Sequence, residues 1–256
     1  FKNKYALITG GTHGIGLAIT LLLAKNGCNV AFSGRDKVKH KNTINLVKQY
    51  NVDYISLVGD VLEDREREDC FNQIISKWGK IDILINNVGG GGRWGKENIE
   101  DTDPIVWHEV YKKNADAAIY YTRKCTPLMR KNLWGRVICI ASIYGKEAGG
   151  RPWFNIAKSA QITLMKNLSK HKYLVRNGIT FNTVSPGGIF IEGTGFEKEK
   201  SENLEKFNKF VDDNFPVGRM GTPEDVAELV VFLCSNKASF INGSQIMIDG
   251  GQSASF

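Results

Sequence analysis

Seven short runs of aliphatic and β-branched residues, at 5–9, 29–33, 54–58, 81–85, 136–141, 179–184 and 245–248, alternate with longer stretches whose apolar residues recur at helical spacing. The longer stretches cover 14–26, 36–50, 64–78, 107–132, 152–177 and 223–235. This alternation constrains the chain more than any other feature. Strands joined through helices pair in parallel and are buried on both faces, so they read as nearly continuous apolar runs. Right-handed crossovers then lead to an α/β fold: a doubly wound, seven-stranded parallel sheet flanked by helices, of the Rossmann type. Local punctuation agrees with these divisions. Thr222-Pro223-Glu224 reads as a helix N-cap followed by a first-turn proline, and Asn26-Gly27 as a helix stop.

No linker, repeat or low-complexity tract interrupts the pattern, so 1–256 is expected to be a single domain. At 256 residues and 42% hydrophobic content it can bury a large core. The segment at about 191–214 is an insertion too charged for core; it reads either as a helical lid over the strand ends or as a solvated excursion. The longest aliphatic stretch, 18–24, falls far short of the roughly 20 residues that span a bilayer, so no membrane partner is expected. The net charge of +7 is spread among acidic residues rather than gathered in a stripe, which argues against nucleic acid. Five widely spaced cysteines read as reduced core thiols, and no leader is seen ahead of the first strand, so the expected setting is cytoplasmic. The four histidines lack ligand spacing with one another or with cysteine, and no metal site is predicted.

Directly after the first strand comes Thr9-Gly10-Gly11-Thr12-His13-Gly14-Ile15-Gly16, opening a helix. Glycines there permit a tight turn and close approach of a pyrophosphate to the helix N-terminus, although such a run alone also makes plain turns. With three residues between Gly10 and Gly14, it resembles the TGxxxGxG turn of the short-chain dehydrogenase/reductase family, in the branch of the 3-oxoacyl-acyl-carrier-protein reductases. Further resemblances follow in family order along nearly the whole chain. Gly59-Asp60-Val61 is similar to the adenine-contacting segment, and Asn86-Asn87-Val88-Gly89 to its NNAG. Asn114, Ser142 and Lys158 match active-site positions, while Ser185-Pro186-Gly187 and Ile189 match the turn over the nicotinamide. The resemblance implies an oxidoreductase that interconverts a carbonyl and a secondary alcohol. It places the cofactor on Gly10, Thr12, His13, Gly14, Ile15, Gly16, Ser33, Arg35, Asp60, Val61, Asn86, Val88, Gly89, Lys158, Pro186, Gly187 and Ile189.

The choice of cofactor follows from charge. An acid at the end of the second strand would bind the ribose hydroxyls of NAD and repel a 2′-phosphate. Here the run is Ser33-Gly34-Arg35-Asp36, whose guanidinium can grip a phosphate, and His13 lies in the same neighbourhood. NADP is therefore expected over NAD. Asp36 offers Arg35 an alternative partner.

The family's catalytic tyrosine belongs twelve residues after Ser142, and the residue there is Phe154. Residues 154 and 158 share a helix face, so phenylalanine keeps the packing and lacks the acidic proton. Three readings stay open: a deliberate Tyr-to-Phe change in a working enzyme, a natural enzyme with another proton source (Tyr144 or a water on Lys158), or a natural pseudoenzyme that binds dinucleotide as a sensor or structural subunit.

The mouth of the site is expected to hold Gly90, Gly91, Gly92, Arg93, Trp94, Lys146, Arg151, Trp153 and Phe196. Cations beside aromatic rings suit a small anionic or sugar-like substrate, or else they are a solvated rim with packed tryptophans. The resemblance also implies a homo-oligomer, dimer or tetramer, paired through helices 107–132 and 152–177, with Ile119, Tyr120, Ile162, Met165 and Leu168 as candidate contacts. In one departure, Ile191 stands where the family places a cofactor-binding threonine, and Thr194 is the candidate substitute.

Overall fold

The computed structural model describes residues 1–255. Seven strands, β1 (Tyr5–Ile8), β2 (Asn29–Gly34), β3 (Tyr54–Val58), β4 (Ile83–Asn86), β5 (Gly135–Ile140), β6 (Ile179–Pro186) and β7 (Gln245–Ile248), form one sheet in the order β3-β2-β1-β4-β5-β6-β7. Every pairing is parallel. Because side chains alternate along a strand, Ile8, Ile85 and Ile138 enter one buried layer, while Leu7, Leu84 and Val137 enter the other. The first layer is closed by α1 (Gly14–Lys25) and α10 (Pro223–Cys234). The second is closed by α3 (Asp64–Trp78), α5 (Ala117–Lys131) and α6 (Pro152–Leu168). The expected doubly wound architecture is the observed one. The strand order reverses direction between β1 and β4, so these two strands leave a crevice at their carboxyl ends.

Helix boundaries follow their caps. Thr222 Oγ1 accepts from Asp225 N at 3.2 Å and Asp225 Oδ2 accepts from Thr222 N at 2.8 Å, a reciprocal capping box. Gly27 takes a positive φ of 81° behind α1. In α2 (Lys37–Val47) the cap is Asp36, whose Oδ1 accepts from Val38 N and Lys39 N, and a 3₁₀ turn finishes the segment at Tyr50.

Two long predicted helices are each divided. The stretch 107–132 starts earlier, as α4 (Pro104–Tyr111), and meets α5 through a π turn at Lys112–Asp116. A π turn adds a residue to one helical turn, and here no glycine or proline marks it. The stretch 152–177 ends as α6 at Leu168 and resumes as the single turn α7 (Lys172–Val175). The insertion holds α8 (Gly195–Glu202) and α9 (Leu204–Asn214). Contrary to expectation it contributes to a small core: its Phe196, Phe207 and Phe210 pack with the flanking Phe190, Phe215 and Met220.

All five cysteines are free and buried, and no helix is long and apolar enough to cross a membrane among the described residues. No cluster of three metal-ligating side chains occurs among them either.

Candidate active site

The glycine turn between β1 and α1 is the tightest part of the crevice. Gly10 and Gly14 take positive φ of 64° and 51°. A Cβ on Gly16 would stand 2.1 Å from the carbonyl oxygen of Gly10, so only glycine closes this turn. Thr9 fastens it to β4: its Oγ1 accepts from both Asn87 N and Val88 N at 3.0 Å. Asn87 Nδ2 donates back to Thr9 O at 2.9 Å and Gly10 O at 3.2 Å. The first-turn N–H groups of α1 lack intrahelical acceptors, which together with the helix dipole suits a phosphate.

Next to this turn lies a cavity of about 310 Å³, lined by Gly10, Thr12, His13, Ser33, Arg35, Asp60, Val61, Val88 and Gly89. Lys39 and Lys113 also line it, two cations that sequence reading missed. Lys113 is pushed below the ordinary lysine range, first by burial and then by the charge of Arg35, with Asp60 opposing. Arg35 does not pair with Asp36; its Nη1 reaches Asp60 Oδ2 at 3.0 Å. The Arg35 side chain is mostly exposed, so this ion pair is weak and open to competition from a phosphate. His13 departs from expectation in charge. Burial and Lys39 hold its pKa below the usual imidazole value, so at neutral pH it offers a hydrogen bond rather than a cation.

Several of the predicted cofactor residues turn their side chains away from the crevice or bond within the chain. Asn86 is buried and gives its Nδ2 to Thr122 Oγ1 at 3.0 Å, because strand alternation turns it into the helix layer; Asn87 is the crevice residue of the pair. Ile15 packs its side chain on the sheet core. Pro186 ends β6, and Gly187 packs against Asp249 and Gln252 of the tail, with Gln252 Oε1 accepting from Gly188 N at 2.7 Å. Ile189 is buried in the core beneath this turn. Ile191 lays its side chain on Gly14, while Thr194 Oγ1 donates to Ile191 O at 2.6 Å and so is already engaged.

Beyond the glycine turn the remaining candidates converge. Lys158 is buried on α6, and its Nζ donates to Ile140 O at 2.9 Å and Gln161 Oε1 at 3.0 Å. Burial in this apolar setting pushes its pKa down to about 8. Asn114, buried in the π turn, donates from Nδ2 to Gly90 O at 2.9 Å and Val110 O at 2.7 Å. Gly89 sits between the two: a Cβ there would lie 2.9 Å from Lys158 Nζ and 2.6 Å from Asn114 Oδ1. Ser142 follows β5, its Oγ accepting from Tyr144 N at 3.2 Å. The Phe154 ring lies over Gly92, with its centroid 5.6 Å from Lys158 Nζ. Tyr144 rests its ring on Gly149 and Gly150, a packing role.

At the mouth, Arg93 bonds Glu199 of α8 at 2.8 Å and stacks on Phe196 at 5.0 Å, joining the insertion to the loop after β4. Trp153 is not at the mouth: it is buried edge-on against Trp107 at 5.1 Å. Lys146 lines a separate cavity with Ile162 and Lys166. Arg151 faces Glu97 at 3.9 Å. Of the proposed oligomer contacts, Met165 is core, whereas Ile119 is 42% exposed.

A turn built for a dinucleotide, on this sheet order, with serine and lysine beyond it, narrows the family to one. Residues 10–253 match the family model described as enoyl-(acyl carrier protein) reductase. The chain belongs to the short-chain dehydrogenase/reductase family. It is 35% identical over 251 residues to the 3-oxoacyl-[acyl-carrier-protein] reductase FabG of Rickettsia felis, covering 97% of this chain and 96% of that one. It is 32% identical over 262 residues to the NADPH-dependent reductase BacG of Bacillus subtilis, covering 98% of each. The solved L-sorbose reductase of Gluconobacter frateurii, complexed with NADPH and L-sorbose, superimposes with a TM-score of 0.91 at 26% identity, over 100% of this chain and 98% of that one.

Proposed function

We propose that this short-chain dehydrogenase/reductase chain uses NADP(H) to interconvert a carbonyl and a secondary alcohol on a small anionic or sugar-like molecule, in a form slowed by Phe154. The observation that carries the cofactor assignment is the cavity beside the glycine turn, where Arg35, Lys39 and Lys113 stand together. Two carboxylates, Asp36 and Asp60, share that wall; Asp36 is committed to capping α2 and Asp60 to Arg35. The NADPH named for BacG and for the sorbose reductase complex supports the same reading. When bound, the nicotinamide supplies or takes the hydride. The chain's own residues then orient the oxygen through Ser142 and move its proton, for which Lys158 is the titratable group at hand.

Calorimetric titration is expected to show NADPH binding more tightly than NADH. Arg35→Ala should weaken NADPH by roughly tenfold, the loss of one charge-assisted pair, and leave NADH nearly unchanged. Tighter binding of NADH by the unaltered protein would refute the assignment.

For the substrate, Arg93 beside Phe196 supports an anionic or hydroxylated ligand, as does the sugar named for the sorbose reductase. Turnover confined to neutral hydrophobic ketones in a substrate screen would rule it out. The reduced, buried thiols support a cytoplasmic setting. Exposed Ile119 on α5 supports self-association, and light scattering is expected to give a mass at least twice the chain's 28.5 kDa; a monomer would contradict it.

A second reading, a dinucleotide-binding protein without turnover, is supported by one observation: the Tyr144 ring, a candidate substitute for the missing phenol, is packed on Gly149 and Gly150.

A further inference from the structure

Gln161 is a buried polar side chain for which neither the fold nor the proposed reaction accounts. It follows Phe154 and Lys158 on one face of α6, at seven and three residues' distance, and only 1% of it is exposed. An apolar residue of similar length would fill the same space without the cost of burying an amide. Both ends of this amide are used. Its Oε1 accepts from Lys158 Nζ at 3.0 Å, and its Nε2 donates to the main-chain oxygen of Asn114 at 3.1 Å.

The two bonds lock the orientation. A flipped carboxamide would set its NH₂ against the ammonium and its oxygen against a carbonyl, two repulsions in place of two bonds. The far partner is fixed as well, because the Asn114 side chain is held by Gly90 in the loop after β4 and by Val110 of α4. On the lysine, Ile140 O and Gln161 Oε1 take two of three N–H groups, and the nitrogen stands against Gly89, which lines the crevice. One N–H of the ammonium is left without a bond to Ile140 or Gln161.

We propose that Gln161 is a positioning residue that ties the Lys158 ammonium to the main chain of Asn114, holds its nitrogen beside Gly89 at the crevice, and sets the pH at which the lysine gives up its proton. The acceptors around the ammonium are neutral. Of the titratable groups on the 3₁₀ turn Ile143–Gly145, α4, the π turn, β5 and β6, only the Cys139 thiol of β5 acts on it, and burial keeps that thiol protonated to about pH 12.

The purpose given to Gln161 rests on the oxidoreductase reading, but its test does not. In cofactor-free protein with ¹³C-labelled lysine, the Lys158 Cε resonance is assigned by its loss in Lys158→Met and followed against pH. Gln161→Glu places a carboxylate next to the ammonium and is expected to raise the Lys158 midpoint by about one unit or more. Gln161→Met removes the acceptor and is expected to lower it by about half a unit or more. In the NADPH-loaded enzyme the alkaline limb of turnover should move with the midpoint, roughly tenfold at a fixed pH for each unit. A Lys158 midpoint that stays put in either folded variant overturns the proposal. So does unfolding of both variants, which would make Gln161 merely structural. A protein that passes the titration and binds no NADPH keeps the role of Gln161 and loses the redox assignment.

Discussion

Phe154→Tyr is expected to raise the turnover number for NADPH-dependent carbonyl reduction by roughly 10²–10⁴-fold, the usual worth of a positioned general acid. The ring already occupies the place. It lies over Gly92 with its centroid 5.6 Å from Lys158 Nζ, four residues before that lysine on the same face of α6. Adding an oxygen at Cζ supplies the acidic hydrogen that phenylalanine lacks, and an ammonium nearby favours the phenolate, bringing the phenol's pKa toward working pH. The half-buried ring tolerates the added atom better than a fully packed one would. Because the new bond forms to the reacting oxygen and the binding surfaces stay as they are, the change should fall on kcat and leave KM within about threefold. A gain of less than about tenfold would mean that protons already arrive by another route, with Lys158 foremost. Inactivity in both forms, with NADPH still bound, would favour the non-turnover reading.

How far such a site can be read in advance depends on what each residue answers to. The parallel sheet was legible because a strand buried on both faces is rich in aliphatic and β-branched residues, as 83–85 and 136–140 are. The glycine turn was legible because a Cβ at Gly16 has nowhere to go. Lys158 and Phe154 were legible by their spacing, and the same face extended by three residues reaches Gln161, a signal left unused in stopping at Lys158. Other features answer to geometry that no pattern carries. The π turn that holds Asn114 adds one residue to a run that still looks helical. The choice of Asn87 over Asn86 depends on where β4 ends. The partner of Arg35 came from β3's loop rather than from its neighbour, since Asp36 had a helix to cap. In the insertion, Phe207, Phe210 and Val211 follow helical spacing among charges, and the charges masked a small core.

The second large effect is on stability, and it begins from the same lysine. In the unfolded chain Lys158 titrates at the ordinary 10.5, and in the folded one near 8. Between those values the unfolded chain holds a proton that the folded chain has released, so stability gained through this residue rises with pH across the window. Below about pH 8 both states are protonated and the full cost of burying the ammonium is present, on the order of 3 kcal/mol at 1.36 kcal/mol per unit. Lys158→Met carries no such group. The unfolding free energy of the unaltered protein minus that of Lys158→Met is therefore expected to increase by about 3 kcal/mol from pH 7.5 to pH 10.5, in urea titrations at matched ionic strength. Taking the difference removes the titration of every distant group, which the two proteins share. The lost bonds to Ile140 O and Gln161 Oε1 shift the offset between the proteins but not its slope with pH. A flat difference would show that the ammonium is hydrated in the folded chain and that Lys158 is an ordinary lysine. A rising one would show a cation held against its own solvation by neutral acceptors alone.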